Sequence, residues 1–333
     1  MPNLNQASFR AHTNIALIKY WGKRDPKLFL PVTSSLSLTL EAFYTDTRLT
    51  VDPALTQSSF YLNGIQQEDK EVEKLSRFLH LFYPDSDQAP THFRVDSYNH
   101  VPTAAGLASS ASAFAALGSC ANQVSGLNLG PEQLSTLVRQ GSGSASRSLF
   151  GGFVRWNRGQ DDQSESSFAQ AIDSAQWDIG MLAIAVNADK KAISSRKGML
   201  HTMETSPFYQ LWPKEVAKDL EAMEVAIQQR DVQRIGEIAE HNAMKMHATI
   251  LAANPSFTYF EPDSLLAMQA VRDLREAGYC CYYTMDAGPN VKVIAPYSQL
   301  DTIKKRLAQY FTEEKLIMSR PGPAPYAIDW KEG

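Results

Sequence analysis

The stretch PTAAGLASSASA, residues 102–113, follows a strand-like segment that ends near Asn99 and leads into an Ala-rich helical pattern. Small residues before a helix allow backbone N–H groups, and the hydroxyls of Ser109 and Ser110, to converge on an anion at the positive end of the helix dipole. The alternative interpretation is that the small residues only permit close packing of the helix. The chain contains neither G-x-x-x-x-G-K-[ST] nor G-x-G-x-x-G, which argues against Walker-type and dinucleotide sites.

Strand-like and helix-like patterns alternate on both sides of this stretch and predict an α+β fold. The predicted strands are residues 47–51, 59–62, 92–97, 153–156, 181–186, 279–285 and 291–295. The predicted helices are residues 69–82, 107–124, 131–140, 213–228, 231–252 and 263–277. The polar segment 157–167 predicts a surface loop. The sequence changes near residue 180 from Gly-, Ala- and Ser-rich to longer, more charged helices, so we expect two lobes, residues 1–180 and 181–333.

Length and composition describe a folded protein of about two domains, because 333 residues exceed the roughly 150 expected of one domain. The 32 basic and 36 acidic residues give a net charge of −4, so no overall positive field exists to bind a nucleic acid or an anionic membrane. Cys120, Cys280 and Cys281 form no C-x-x-C pair, and the N-terminal residues lack the apolar core of a signal peptide. We therefore expect a reducing, cytoplasmic location.

A second small-residue stretch, GSGSASRSLFGG at residues 141–152, combines four serines with Arg147. Serine hydroxyls and a guanidinium suit a carboxylate or a phosphate, because the guanidinium can bind either group through two parallel hydrogen bonds. The alternative is a flexible turn between a helix and a strand.

A third stretch, NIALIKYWGKRD at residues 14–25, ends an apolar strand-like run with Lys19, Tyr20, Trp21, Lys23 and Arg24. Cations beside aromatic rings indicate an anionic ligand with an apolar body. An ordinary strand end with solvated lysines is the alternative.

Two further segments hold charged residues after predicted strands. Asp286, in YYTMDAGPNVKVI, stands at a strand end beside a tight turn, so it is either a rigidly held base or a turn residue that hydrogen-bonds to its own loop. The segment DKKAISSRKGM, residues 189–199, offers Lys190, Ser195 and Arg196 as anion donors, or else forms a solvated loop. Together with the preceding segments they would create a positive cleft in an acidic protein, which favours an ATP-dependent enzyme with a small anionic substrate.

These motifs resemble those of the diphosphomevalonate decarboxylase family, in the GHMP kinase superfamily. The resemblance runs from about residue 9 to about residue 295. It is carried by NIALIKYWGKRD, TSSLSLTL, SYNHVPTAAGLASSASA, GSGSASRSLFGGF, SSRKGM, HATILAANPSFTYFEP and TMDAGPNVKVI. The pair IKYWGKRD and GSGSASRS is specific to the family, whereas GLASSAS marks only the superfamily. Thr33 departs from the pattern, because the family more commonly has Asn there.

The resemblance implies a two-lobed GHMP kinase fold, with a ribosomal-S5-like N-terminal lobe, a ferredoxin-like C-terminal lobe and the site in the cleft between them. It implies that mevalonate 5-diphosphate and ATP become isopentenyl diphosphate, ADP, phosphate and CO2, in a step of the mevalonate pathway of isoprenoid biosynthesis. It also implies a requirement for Mg²⁺ and a homodimer.

The resemblance further assigns roles to individual positions. Asp286 would accept or orient the proton of the 3-hydroxyl, Arg147 would hold the substrate carboxylate, and Lys19 would lie close to the reacting groups. Lys190 would lie near the γ-phosphate. The implied contacts to the substrate are Tyr20, Lys23, Ser142, Gly143, Ser144, Ser195 and Arg196. The implied contacts to ATP are Ser97 and Asn99 at the nucleoside and Ala105, Gly106, Ser109 and Ser110 at the phosphates, with Ser109 as a magnesium ligand.

Three other functions remain open from the sequence. A GHMP-type kinase would phosphorylate a small alcohol and stop there, without needing Arg147 and Asp286 together. A decarboxylase that acts on mevalonate monophosphate would need fewer donors around Tyr20 and Lys23. A binding protein of the same fold would have lost the aspartate or the arginine, and both are present.

Overall fold

The computed structural model describes residues 5–83, 90–100, 110–187 and 193–330. Its strands are β1 Gln6–Ile18, β2 Lys23–Asp25, β3 Leu30–Pro31, β4 Ser35–Thr50, β5 Ser59–Leu62, β6 Ile65–Gln66, β7 Arg94–His100, β8 Phe153–Trp156, β9 Ala169–Asp173, β10 Gly180–Ile184, β11 Tyr282–Met285, β12 Val291–Ala295, β13 Leu316–Ser319 and β14 Tyr326–Ala327. Its helices are α1 Asp69–Leu79, α2 Ser110–Val124, α3 Pro131–Gly141, α4 Ser195–Thr205, α5 Trp212–Gln228, α6 Val232–Leu251, α7 Pro262–Glu276 and α8 Tyr297–Leu307.

The first half of the chain forms a sheet of eight strands with helices packed against it. The main path runs β14-β1-β4-β7-β5-β6, and β8 pairs with β4 and with β9. Strands β1 and β4 are long and antiparallel, with register shifts between His12 and Asn14 and between Ala16 and Ile18. Helix α2 packs on both strands. Helix α2 also packs closely on α3, since a Cβ on Gly118 would lie 2.3 Å from the Val138 side chain. Within the stretch 102–113, Ala111 and Ser112 of α2 are buried, as the close-packing interpretation expects.

The second half forms a four-stranded antiparallel sheet in the order β11-β12-β10-β13. The chain order places helices α4 to α7 between β10 and β11, and helix α8 between β12 and β13. This is a β-α-β-β-α-β arrangement with a ferredoxin-like strand order. The expected two-lobed α+β fold is thus confirmed.

One hydrophobic core runs from the second-half sheet into the ends of β1 and β4. Leu17 and Ile18 of β1 and Leu36 of β4 are fully buried in the same cluster as Met285 and Val291 of the second half. A buried hydrogen bond from the Lys19 backbone N–H to the Asn242 side chain, 2.8 Å long, ties the end of β1 to α6. Residues just after β1 therefore lie where the two halves meet.

After β13 the chain returns to the first-half sheet. Pro321 forms a bridge with Leu40, and the Gly322 N–H donates to the Thr39 carbonyl at 2.8 Å. Strand β14 then pairs with β1, with Phe9 opposite Ala327. The first-half sheet therefore includes a strand from near the end of the chain.

Most predicted elements are confirmed within a few residues, and the segment 157–167 has one short 3₁₀ turn, Ser164–Ser166, between irregular stretches. The predicted strand 47–51 is only the end of β4. The first part of β4 was not predicted, because its hydroxyl residues Ser35, Ser37 and Thr39 alternate with leucines, and both sets of side chains are fully buried. Helix α8 was not predicted, although Leu300, Ile303 and Leu307 repeat at helical spacing and are buried. Among the described residues, no helix is both long and apolar enough to cross a membrane.

Candidate active site

A cleft of about 580 Å³ lies where the two halves meet. Its charged lining residues are Lys19, Lys23, Lys74, Arg147, Arg196, Asp286 and Lys292. Six of these seven side chains carry positive charge, and Asp286 is the one acid in this described lining. The protein has a net charge of −4, so the cations are concentrated in the cleft, as the sequence predicts.

Asp286 lies in the turn between β11 and β12 and meets two lysines. Its Oδ1 accepts a hydrogen bond from Lys19 Nζ at 2.7 Å, and its Oδ2 lies 3.1 Å from Lys292 Nζ. The lysine side chains are 2% and 5% exposed, whereas the Asp286 side chain is 35% exposed. The two buried lysines thus fix the orientation of the carboxylate, which remains partly accessible from the cleft. The Asp286 side chain therefore contacts Lys19 and Lys292, which lie outside its turn, and does not serve as a turn residue that hydrogen-bonds to its own loop.

The charges around Asp286 shift the pKa values of this cluster. Burial alone would raise the pKa of Asp286, but the positive charges of Lys19 and Lys292 outweigh burial and hold that pKa well below its usual range. Burial lowers the pKa of Lys19 to about 8, against the opposing effect of Asp286. Asp286 is therefore ionised at neutral pH, and Lys19 is mostly charged.

Arg147 lies in the 3₁₀ helix Gly143–Leu149 and is 2% exposed. Its Nε donates to Ser37 Oγ at 3.0 Å and to Asn14 Oδ1 at 3.2 Å, and its Nη1 donates to Ser35 Oγ at 2.5 Å. Burial lowers the pKa of Arg147 to about 10, so the guanidinium stays charged at neutral pH. The serine-rich stretch is therefore an ordered, buried turn and not a flexible one. No hydrogen bond from Nη2 occurs within the described parts of the chain.

The same 3₁₀ helix brings its backbone close to Tyr20. A Cβ on Gly143 would lie 2.9 Å from the Tyr20 ring and 3.1 Å from the Trp156 ring, so glycine alone fits this approach. The Tyr20 hydroxyl is buried and has no hydrogen-bond partner within residues 5–83, 90–100, 110–187 and 193–330. A buried hydroxyl without a partner is costly unless a ligand satisfies it. Ser142 and Ser144 lie beside it on the wall of the cleft, with their hydroxyls 3.4 Å apart.

Lys23 and Arg196 approach each other at one end of the cleft, next to the ring of Phe29. The Lys23 Nζ lies 3.4 Å from the ring centroid, and the Arg196 Cζ lies 5.2 Å from it. Burial, and then the positive charge of Arg196, lower the pKa of Lys23 to about 8. The positive charges of Lys23 and Arg196 therefore repel each other at this end of the cleft, and a bound anion would offset that repulsion.

Of the segment 189–199, residues 195–199 are helical and not the solvated loop that the charges also allow, and residues 189–192 lie outside the described residues. Helix α4 begins at Ser195, and the Ser194 side chain caps it by accepting the Lys197 N–H at 3.3 Å. Ser195 and Arg196 thus occupy the first turn, where unpaired N–H groups and the helix dipole favour an anion. The helix escaped prediction because it carries few apolar residues, with Gly198, Met199 and Thr202 as its buried positions.

Ser110 and Lys74 also line the cleft, and the Ser110 hydroxyl lies 3.4 Å from the Ser142 hydroxyl. Ser97 and Asn99, on β7, do not line the cleft: Ser97 hydrogen-bonds to Thr47 at 2.7 Å, and Asn99 to Thr45 at 2.9 Å. Four predicted site residues lie outside the described residues: Ala105, Gly106, Ser109 and Lys190.

Sequence reasoning missed several residues that build the site. Lys292 stands in the otherwise apolar run VKVIA of the buried strand β12. A lysine in such a run is rarely buried without a partner, so it could have indicated a functional residue. Asn14, Ser35 and Ser37 lie within the quoted motifs NIALIKYWGKRD and TSSLSLTL, but nothing in those motifs indicates that they hold Arg147, which is more than 100 residues away in the chain.

The fold and the cationic cleft together define a two-lobed α+β protein of the GHMP kinase fold. Models of the diphosphomevalonate decarboxylase-like N-terminal domain and of the mevalonate 5-diphosphate decarboxylase C-terminal domain match residues 11–169 and 181–323. The chain belongs to the diphosphomevalonate decarboxylase family.

Solved structures and curated relatives agree with this assignment. The complex of MDDEF with MVAPP, AMPPCP and magnesium is 48% identical, has a TM-score of 0.92, and covers 98% of this chain and 99% of its own. Mevalonate diphosphate decarboxylase from Enterococcus faecalis, also 48% identical, has a TM-score of 0.91 with the same coverage. Diphosphomevalonate decarboxylase of Homo sapiens is 35% identical over 303 residues, which cover 85% of this chain and 75% of the human protein.

Proposed function

We propose that this chain converts mevalonate 5-diphosphate and ATP into isopentenyl diphosphate, ADP, phosphate and CO2, by phosphorylating the 3-hydroxyl before the carboxylate is lost. The observation that carries the proposal is one accessible carboxylate, Asp286, and one buried guanidinium, Arg147, in a cleft whose other charged lining residues are cations. The likeness to a complex that holds MVAPP and AMPPCP supports the same ligands here.

Asp286 accepts the hydrogen bond of the 3-hydroxyl and orients its oxygen toward the γ-phosphoryl group. As the new O–P bond forms and the bond from the γ-phosphorus to ADP breaks, the hydroxyl oxygen becomes acidic and its proton passes to Asp286. Its lowered pKa makes it a weak base, but phosphoryl transfer depends mainly on positioning and charge neutralisation. Lys19 fixes the orientation of the carboxylate through its 2.7 Å hydrogen bond, and Lys292 holds the other oxygen. The two lysines also place positive charge near the transferred phosphoryl group.

Arg147 grips the substrate carboxylate through Nη2, while Asn14, Ser35 and Ser37 occupy Nε and Nη1. Departure of the 3-phosphate leaves positive character at C3, and the electron pair of the breaking C–CO2 bond then forms the alkene. The cations of the cleft stabilise the departing phosphate. A buried, fully anchored guanidinium keeps the carboxylate in place until the bond breaks.

The diphosphate of the substrate lies at the other end of the cleft, against Lys23, Tyr20, Arg196 and Ser195. The partnerless Tyr20 hydroxyl supports this placement, as do the two neighbouring cations. The remaining contacts that we propose are Ser142, Gly143 and Ser144.

ATP is bound on the side of Ser110. Magnesium accepts hydroxyl and phosphate oxygens and few protein ligands, and the hydroxyls at this end are donors of that kind. Bound there, the metal would neutralise charge on the phosphates. We propose Ser109 as its ligand, Ala105 and Gly106 as phosphate contacts, Lys190 near the γ-phosphate, and Ser97 and Asn99 near the nucleoside.

We also propose that the lobes divide near residue 180, that two copies form a homodimer, and that the enzyme works in the cytoplasm. The three free cysteines fit a reducing compartment. Sedimentation velocity of the purified chain tests the dimer, and a monomer at micromolar concentration would contradict it.

The reaction itself is tested by counting products. Purified protein is incubated with Mg²⁺, ATP and mevalonate 5-diphosphate, and ADP, phosphate, CO2 and isopentenyl diphosphate are measured together. We expect equal amounts of all four. ADP with a stable phosphorylated substrate and no CO2 would make the chain a kinase. No ADP, followed by turnover of the monophosphate, would change the substrate, and no ADP with either substrate would leave a binding protein.

A further inference from the structure

The ring of Phe29 contacts both cations, Lys23 and Arg196, at the end of the cleft proposed for the diphosphate. Its ring lies 3.4 Å from Lys23 Nζ and 5.2 Å from Arg196 Cζ, although the two cations come from β2 and α4, more than 170 residues apart. Both distances are within the range at which the negative face of an aromatic ring attracts a cation. The ring is half-buried and lines the cleft.

The chain holds this ring in place through a hairpin that is anchored on both sides. Phe29 has φ 57°, a left-handed conformation that is uncommon for a bulky residue and persists only where its surroundings enforce it. The Asp25 carboxylate accepts the N–H groups of Lys27 and Leu28 at 2.7 and 2.8 Å. The buried guanidinium of Arg139 donates to the Leu28 carbonyl at 2.9 Å. The turn before Phe29 is thus fixed locally by Asp25 and from the protein interior by Arg139.

Two like charges at one end of a cleft repel each other, and a lone monoanion can pair fully with only one of them. A diphosphate carries two linked anionic groups and can engage both at once. We propose that Phe29 is a specificity-determining residue for the diphosphate group, because its ring keeps the Lys23 ammonium and the Arg196 guanidinium side by side. This inference rests on the proposed function only for the identity of the natural substrate.

The experiment compares Phe29→Leu, which removes the aromatic face, with Phe29→Tyr, which keeps it. Binding of inorganic pyrophosphate and of inorganic phosphate is measured by titration calorimetry, with the unfolding temperature as a control for folding. We expect Phe29→Leu to lose about 3- to 10-fold in pyrophosphate affinity, since two cation–π contacts are removed, and less than about 2-fold in phosphate affinity. Phe29→Tyr should bind both anions as the native protein does.

A double-variant cycle locates the effect. In an Arg196→Ala background, Phe29→Leu should cost less pyrophosphate affinity than in the native protein, because one of its partners is already gone. In steady-state assays Phe29→Leu should raise KM for mevalonate 5-diphosphate and leave kcat and KM for ATP near native.

Pyrophosphate affinity unchanged in Phe29→Leu, an equal loss for both anions, or an equal loss in Phe29→Tyr would overturn the inference. So would native protein that binds pyrophosphate no more tightly than phosphate. The calorimetric test needs no turnover, so it still decides about Phe29 if the product count shows that the proposed reaction is wrong.

Discussion

Asp286→Asn is the substitution that tests the charged cluster most directly, because it removes one negative charge and almost no volume. It leaves Lys19 and Lys292, 2% and 5% exposed, without their anionic partner. Removing one partner of a buried ion pair costs about 3–5 kcal/mol. Asp286 is 35% exposed, so water already screens part of the attraction, and Lys19 can release its proton. We therefore expect the free energy of unfolding at neutral pH to fall by about 1–3 kcal/mol.

The pH dependence gives the sharper signature. In the native protein the pKa of Lys19 is about 8, against 10.5 for an unperturbed lysine, so the unfolded chain binds more protons between these values. Stability consequently rises as pH increases from about 8 to about 10.5. Asp286 opposes the effect of burial on Lys19, so in Asp286→Asn the pKa of Lys19 falls further and the rise begins at lower pH. For each unit by which that pKa falls, the deficit of the variant shrinks by about 1.4 kcal/mol between pH 6 and pH 8.5.

Chemical denaturation at pH 6 and pH 8.5 measures this deficit, and ADP release measures turnover. Asp301→Asn is the matched control, because Asp301 pairs with Lys305 at 2.6 Å on the surface and both side chains are more than half exposed. We expect no measurable loss of stability in the control. Asp286→Asn should bind ATP nearly as the native protein does, with turnover abolished. A deficit that does not change with pH would refute the proposed charge coupling, and a variant with most of its activity would refute the role of Asp286.

Three further predictions concern neighbouring residues. Arg147→Ala should lower kcat by roughly 100-fold or more, because it removes the contact that holds the carboxylate; unchanged product formation with ATP and mevalonate 5-diphosphate would show that the assignment is wrong. Lys292→Met should fold and should lose about 10-fold in kcat with little change in either KM, since Asp286 Oδ2 and the Asn290 carbonyl lose the ammonium while Lys19 still holds Asp286 Oδ1; native kcat would contradict this. Pyrophosphate binding at pH 8 should protonate Lys23 by up to about half a proton, because the pKa of Lys23 is lowered to about 8 and a bound anion raises it; calorimetry in buffers of different ionisation enthalpy measures the net proton exchange, from which this contribution should be missing in Lys23→Met.

The elements that were predicted correctly are those whose structure is determined by residues close together in the sequence. Helices α6 and α7 show apolar residues at helical spacing, and the turn after β11 is marked by Gly288 and Pro289 between two apolar runs. Asp286 was found for the same reason. The first half of β4 was not recognised, because both faces of that strand are buried and its serines and threonines conceal the alternation.

The site was predictable where it follows a motif and hidden where it depends on contacts between distant segments. Arg147 stands out among glycines and serines, but its anchors Ser35 and Ser37 come from β4 and become visible only when β4 packs beside the 3₁₀ helix. No motif quoted from the sequence includes Phe29. Its relation to Arg196 depends on the approach of that one side chain to the β2–β3 hairpin from a distant part of the chain, which no sequence period encodes.

The pairing of β14 with β1 has a consequence for how the protein is made. A ribosome releases residues 326–327 only after it has synthesised the first-half sheet and all of the second-half sheet. Until then, the edge of β1 that β14 covers has no strand partner among the residues that the structure describes. An unpaired strand edge is a template for other chains, so the growing polypeptide is exposed to misassembly at this edge for most of its synthesis.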